Sequence, residues 1–172
     1  LNNFVVEKAA FTGVEIGILQ SLREVPGFLS FTLIFVLLVI KEQTFAVFSL
    51  ALLGLGVCLT GFFPTVYGLY FTTVLMSIGF HYFEAVKQSL SLQWLSKTEA
   101  PIVLGKLLAV GSLTSLIVYG CLWTLLEFFK LPYWINFAIA GGICMGIALI
   151  MFLLFPSFPS RVEQNQNLVL RK

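Results

Sequence analysis

The residues best suited to chemistry lie in one apolar segment, where polar side chains recur at helical spacing. Steps of four, four, three, four and three residues separate six of them: Thr73, Ser77, His81, Glu84, Gln88 and Ser91. Residues three or four apart are neighbours on a helix surface, so this spacing predicts one polar face. Histidine and buried carboxylates can exchange protons near neutral pH, which makes His81 and Glu84 candidate proton carriers.

A second polar line precedes it, formed by residues at helical spacing: Gln20, Arg23, Gly27 and Ser30. Glu24 lies beside this line, and Pro26 interrupts it. Proline removes a backbone donor and kinks a helix, which frees backbone groups near the charges. Arg23 can bind an anionic solute or pair with Glu24 or Glu84.

An ordinary structural explanation competes with this one. Each polar line belongs to a segment of about 30 residues, or roughly 45 Å of helix, whereas the hydrocarbon core is only about 30 Å thick. The charged residues can therefore lie at the membrane boundaries, with Lys87 extending its ammonium group to water. A cavity and a boundary position both remain open for Arg23, Glu24, His81 and Glu84.

The composition indicates that a lipid bilayer surrounds these segments. The chain is 59% hydrophobic and 10% charged, with a mean hydropathy of +0.99. Soluble domains carry about 25% charged residues, so a chain this apolar requires a membrane as its solvent. The net charge of +2 and the scattered basic residues do not indicate nucleic acid binding.

Several classes of site are excluded by residue type. The acidic residues are all glutamate, and there is a single histidine, so neither paired aspartates nor a two-histidine metal motif can form. The three cysteines, Cys58, Cys121 and Cys144, match no metal or redox spacing. No hydrolase motif is present. We expect no cofactor, no metal and no enzymatic activity.

Five segments are long and apolar enough to predict an all-α polytopic membrane protein. They form a bundle within residues 1–156, and a polar cytoplasmic tail, or the start of a longer cytoplasmic loop, covers 157–172. Very short connections make neighbouring helices antiparallel. Small residues at Gly105, Ala109 and Ser112, and at Gly142 and Gly146, predict close helix packing. The spans are about 11–40, 44–63, 65–95, 101–128 and 133–155.

Lysine and arginine are concentrated on one side of this bundle. That side receives the turn at Lys41, the loop 96–100 and the tail, whereas the other side carries Lys8 and Lys130. Positive charge accumulates on the cytoplasmic side. We therefore expect the amino terminus outside and the carboxyl terminus in the cytoplasm, in a bacterial cytoplasmic membrane.

Three segments together resemble the major facilitator superfamily of secondary transporters. Segment 11–27, FTGVEIGILQSLREVPG, looks like the family's second helix, and segment 79–95, GFHYFEAVKQSLSLQWL, looks like its fourth. Segment 101–112, PIVLGKLLAVGS, is similar to the start of its fifth helix. The family's loop signature after the second helix and its antiporter Gly-Pro motif are absent, which argues against a drug antiporter.

The resemblance implies the amino-terminal half of a transporter without its first helix. The family has two six-helix halves, so this chain is expected to be part of a longer protein; it begins at Leu1 rather than methionine. Its partners would be a small-molecule solute, membrane lipid, the missing first helix and the second half. The implied function is secondary transport by alternating access, possibly coupled to protons.

A non-transporting membrane subunit or scaffold protein is the alternative function, which five helices without a second half would favour. Under the transport hypothesis, the solute or proton pathway is lined by residues of the two polar lines. The candidates are Arg23, Glu24, Gln20, His81, Glu84, Gln88, Ser77 and Thr73.

Overall fold

Every regular element of the chain is helical in the computed structural model, which describes residues 2–155. The predicted tail 157–172 lies outside the described residues. The elements are α1 (Asn2–Ala9), α2 (Gly13–Phe28), a 3-10 segment (Leu29–Thr32), α3 (Leu33–Leu37), α4 (Glu42–Thr60), α5 (Val66–Trp94), α6 (Ala100–Glu127) and α7 (Tyr133–Leu154).

Three of these helices are long and apolar enough to cross a membrane. They are α4, α6 and α7, which correspond to the predicted spans 44–63, 101–128 and 133–155. The chain is therefore an all-helical protein whose composition and helix lengths support a place in the membrane.

The first predicted span, 11–40, is not one continuous helix. A capping box begins α2, in which the backbone N–H of Thr12 donates to a carboxylate oxygen of Glu15 at 2.9 Å. Pro26 lies inside the last turn of α2, and the 3-10 segment follows it. Proline has no N–H for the helical ladder, and its ring clashes with the carbonyl of the preceding turn. The interruption therefore lies just beyond the kink that the sequence predicts.

The third predicted span, 65–95, forms the continuous helix α5. Thr65 caps its start by accepting a hydrogen bond from the N–H of Gly68 at 3.2 Å. One side of α5 packs against α2 and another against α4. Gly79 permits the second contact, because a Cβ there would lie 2.4 Å from the backbone nitrogen of Leu53. α5 therefore holds α2 and its polar residues against the bundle.

α4 lies between α5 and α7 and packs extensively against both. The close approach to α7 depends on Gly141, where a Cβ would lie 2.6 Å from the backbone nitrogen of Cys58. A Cβ at Gly142 or at Gly146 meets open space, so neither glycine packs against the described residues as predicted. One residue turns the chain by about 100° around a helix, so the contact side of α7 differs from the predicted one.

α6 stands apart from the other helices in the described part of the chain. It has sparse contacts with α5 and α7, and Ala100 is its one buried residue. A Cβ at Gly105 meets open space, so the predicted small-residue face does not pack against the described residues. A helix that is hydrophobic on all sides is stable when lipid or other helices surround it.

Candidate functional site

Polar side chains of α5 contact the backbone of α2 close to its interruption. The hydroxyl of Ser77 donates a hydrogen bond to the carbonyl oxygen of Arg23. The ring of His81 lies against Gly27, where a Cβ would come within 2.8 Å of the histidine Cε1. Glycine at this position therefore lets the imidazole lie directly on the α2 backbone.

Tyr82 extends these contacts to the 3-10 segment. Its hydroxyl donates to the carbonyl oxygen of Leu29 at 3.5 Å and is also hydrogen-bonded to the hydroxyl of Thr32. Neither Tyr82 nor Thr32 belongs to the predicted polar lines, although Tyr82 directly follows the candidate His81. Ser77, His81 and Tyr82 of α5 therefore hold the end of α2 and the 3-10 segment that follows it.

Arg23 and Glu24 form an ion pair on the open side of α2. The arginine Nη2 lies 2.9 Å and its Nε 3.0 Å from the same carboxylate oxygen. The two side chains are 50% and 61% exposed. An exposed ion pair contributes about 0–1 kcal/mol to stability. Breaking this pair, so that Arg23 or Glu24 can bind a solute ion instead, therefore costs little free energy. Of the pairings considered from the sequence, the structure contains the one with Glu24.

The ion pair lines a cavity of about 440 Å³ that lies between α2, α4 and α5. Arg23 also borders a second cavity of about 610 Å³, together with Gln20 and Asn136. The first cavity combines charged, polar and apolar side chains: Arg23, Glu24, Leu53, Met76, Ser77, Phe80 and His81. Four of the eight predicted site residues therefore line one cavity, and Gln20 lies in the neighbouring one.

Asn136 is a buried polar residue that the sequence analysis missed. Its side-chain nitrogen donates to the carbonyl oxygens of Leu131 and Pro132, each at 3.2 Å. Its side-chain oxygen is buried without a hydrogen-bond partner among the described residues. The signal was present in the sequence, because Asn136 is the one amide or charged side chain in α7.

The remaining members of the α5 polar line occupy other surroundings. Thr73 is buried, and its hydroxyl has no partner among the described residues. Glu84 forms an ion pair with Lys87 along its own helix. Gln88 is exposed, and the hydroxyl of Ser91 donates to the carbonyl oxygen of Lys87 at 2.8 Å. The predicted face is thus divided between a buried part, a cavity part and a more exposed end.

The first cavity combines a guanidinium, a carboxylate, an imidazole and a hydroxyl, which suits it to anion binding and proton exchange. Within residues 2–155, no cluster of histidine, cysteine and acidic residues could hold a metal ion. No family model, curated protein or solved structure matches this chain.

Proposed function

We propose that this chain is part of a secondary transporter that moves a small solute across a membrane by alternating access. The observation that carries the proposal is the cavity where Arg23, Glu24, Ser77 and His81 meet beside an interrupted helix. Interrupted helices are common at the solute sites of secondary transporters, because the freed backbone groups and nearby charges can contact the solute. Charged residues inside membrane segments generally serve such pathways.

The ion pair supplies a mechanism for solute recognition. An anionic group on the solute would compete with Glu24 for the guanidinium of Arg23. The carboxylate released in this way can accept a proton, and His81 lines the same cavity as a second proton acceptor. Solute binding and proton binding would then be coupled through one arginine.

The interruption supplies a place for movement. Helix segments joined by a short 3-10 turn can change their relative direction, because a few residues absorb the change in backbone angles. Ser77 holds the end of α2 and Tyr82 holds the 3-10 segment through a few hydrogen bonds, which a change of helix direction can break. α5 would act as the fixed support and α2 as the moving part.

The complete transporter would contain more helices than this chain. We propose five spans here, with α2–α3 and α5 adding to the three strongly apolar helices. The amino terminus would face outside and the carboxyl terminus the cytoplasm, in a bacterial cytoplasmic membrane. A further helix and a second half would close the cavity, which is open in this chain on the side of the ion pair.

Uptake measurements test the proposal. Cells that produce the complete reading frame should accumulate at least one member of a panel of small carboxylate and phosphate solutes. Arg23→Gln should lower this uptake at least tenfold, since a charge-assisted hydrogen bond contributes about 1.5–3 kcal/mol. Lys97→Gln, in the loop before α6, is the control and should leave uptake unchanged. Equal uptake in the arginine variant would refute the role of Arg23.

A non-transporting subunit is the second candidate, and α6 is the observation that favours it. Most of its apolar surface is exposed in the described structure, which leaves room for a helix of another membrane protein. Purification in a mild detergent separates the two functions. A scaffold protein should be recovered in a defined complex with another membrane protein, and its Arg23→Gln variant should assemble normally.

A further inference from the structure

A cavity of about 520 Å³ lies where the three strongly apolar helices end or begin. α4 ends at Thr60 and α6 ends at Glu127, while α7 begins at Tyr133. Residues next to all three ends line the cavity. If these helices cross a membrane, their shared end lies at the boundary between the hydrocarbon core and water. The cavity is therefore at the level of the lipid headgroups.

Two lysines that are far apart in the sequence line this cavity. Lys8 belongs to the last turn of α1, and Lys130 lies in the turn between α6 and α7. Among the described residues, neither ammonium group has an ion-pair or hydrogen-bond partner. Glu7 also lines the cavity, but its carboxylate accepts a hydrogen bond from the Tyr133 hydroxyl at 3.0 Å. The charged lining is thus positive overall, with two free cations.

The backbone of Lys130 is in the left-handed region, with a φ of 49°. The turn is closed by a hydrogen bond from the N–H of Leu131 to the carbonyl oxygen of Leu125 at 3.0 Å. Glycine adopts this conformation without strain, whereas a lysine does not. Backbone strain of this kind occurs often at binding and active sites. The negative, carboxyl-terminal end of the α6 dipole attracts a cation, which explains one lysine at this position. It does not explain two unpaired cations in one cavity.

Aromatic side chains also line this cavity. Trp134 lines the cavity and is 48% exposed, and Tyr133 lies beside it. Tryptophan and tyrosine are enriched at membrane interfaces, where their rings contact both acyl chains and headgroups. Lysine near such an interface attracts anionic phosphate groups.

We propose that this cavity binds a phosphate anion through Lys8 and Lys130, with an anionic phospholipid headgroup or free phosphate as its source. The two ammonium groups contact the phosphate oxygens, and Trp134 packs beside the glycerol or acyl part of a lipid. This site shares no lining residue with the first cavity at Arg23, and its anion binding does not depend on solute transport.

Native mass spectrometry of the purified chain in detergent tests the site. The chain is mixed in separate arms with phosphatidylglycerol, with phosphatidylcholine and with inorganic phosphate. We expect one phosphatidylglycerol or one phosphate to be retained, and phosphatidylcholine to be retained at least tenfold less. Lys8→Gln and Lys130→Gln should each weaken binding about fivefold. Retention of phosphate alone would identify the free anion as the ligand.

Matched variants separate binding from folding. Lys97→Gln combined with Lys106→Gln removes two charges at the opposite end of α6 and should leave binding unchanged. Lys130→Gly should weaken binding while raising the unfolding temperature, because it relieves the backbone strain. Three outcomes would overturn the proposal: no retention of either anion, equal retention of phosphatidylcholine, or unchanged binding by the double variant Lys8→Gln/Lys130→Gln.

Discussion

Arg23 is held through both its backbone and its side chain. Its carbonyl oxygen accepts the Ser77 hydrogen bond, and its guanidinium pairs with Glu24. The backbone hydrogen bond fixes the position of Arg23 on α2. The exposed ion pair leaves the guanidinium able to bind an anion. His81 lies one helical turn beyond Ser77 and lines the same cavity. The charge and the imidazole therefore keep a fixed separation as long as α5 holds α2.

Substitution of Glu24 and substitution of Glu84 should affect uptake differently. Glu24 pairs with Arg23 in the cavity, whereas Glu84 pairs with Lys87 on its own helix. Glu24→Gln removes the carboxylate that competes with the solute for Arg23, so we expect the half-saturating solute concentration of uptake to fall by up to about fivefold. Glu84→Gln loses an exposed pair worth about 0.5 kcal/mol at most and should transport normally.

Uptake of a responsive solute over a range of solute concentrations measures both variants, with Glu99→Gln in the loop before α6 as the control. A changed half-saturating concentration in Glu84→Gln, with none in Glu24→Gln, would contradict a role of the Arg23–Glu24 ion pair in solute binding.

Gly27 is expected to be required for the position of His81. A Cβ at Gly27 would lie 2.8 Å from the histidine ring, so Gly27→Ala should displace the imidazole and lower uptake by tenfold or more. Gly17, on the same helix, meets open space. Gly17→Ala should leave uptake unchanged and raise stability by up to about 1 kcal/mol. If the two variants transport equally, the contact between Gly27 and His81 has no role in function.

Helix boundaries depend on both local signals and packing. Pro26 predicts a disturbance of α2, and the capping residues Thr12 and Glu15 mark its start. The 3-10 segment Leu29–Thr32 has no comparable sequence signal; hydrogen bonds from Tyr82 contribute to its geometry. α1 was not predicted because eight residues are too few for a membrane span. Phe4 and Val5 bury it against the bundle.

Adjacent glycines of α7 provide a matched test of helix packing. Gly141 faces α4, where a Cβ would lie 2.6 Å from a backbone nitrogen, and Gly142 faces open space. We expect Gly141→Ala to destabilise the chain by about 1–3 kcal/mol through overpacking. Gly142→Ala should be neutral or stabilising by up to about 1 kcal/mol.

Thermal unfolding in detergent, followed by helical circular dichroism, measures both changes. Equal unfolding temperatures for the two variants would mean that α4 and α7 do not pack through Gly141.

The overall layout was only partly predictable from sequence. Length and apolar composition identified α4, α6 and α7, because a long apolar run has few stable alternatives to a membrane helix. Which helices contact each other was harder to predict from the sequence. Gly105 and Gly146 have the small size that permits packing, but size does not specify a partner, and both meet open space. The cavity residues of α2 and α5 were found because charge and histidine are rare in such segments.

Two-sided labelling is the most direct test of an alternating-access pathway at this cavity. Cysteines replace Glu24 and His81 one at a time in a chain whose native Cys58, Cys121 and Cys144 are serine. A membrane-impermeant thiol reagent is applied to right-side-out and to inside-out vesicles. The control is Leu113→Cys on the apolar surface of α6, where the side chain is 59% exposed and should face lipid.

Alternating access predicts that both cavity cysteines react from each side of the membrane, whereas Leu113→Cys reacts from neither, because thiolates form in water and not in lipid. A solute that binds the cavity should slow both reactions. Labelling of Glu24→Cys and His81→Cys from one side alone, or from neither, would contradict a transport pathway through this cavity.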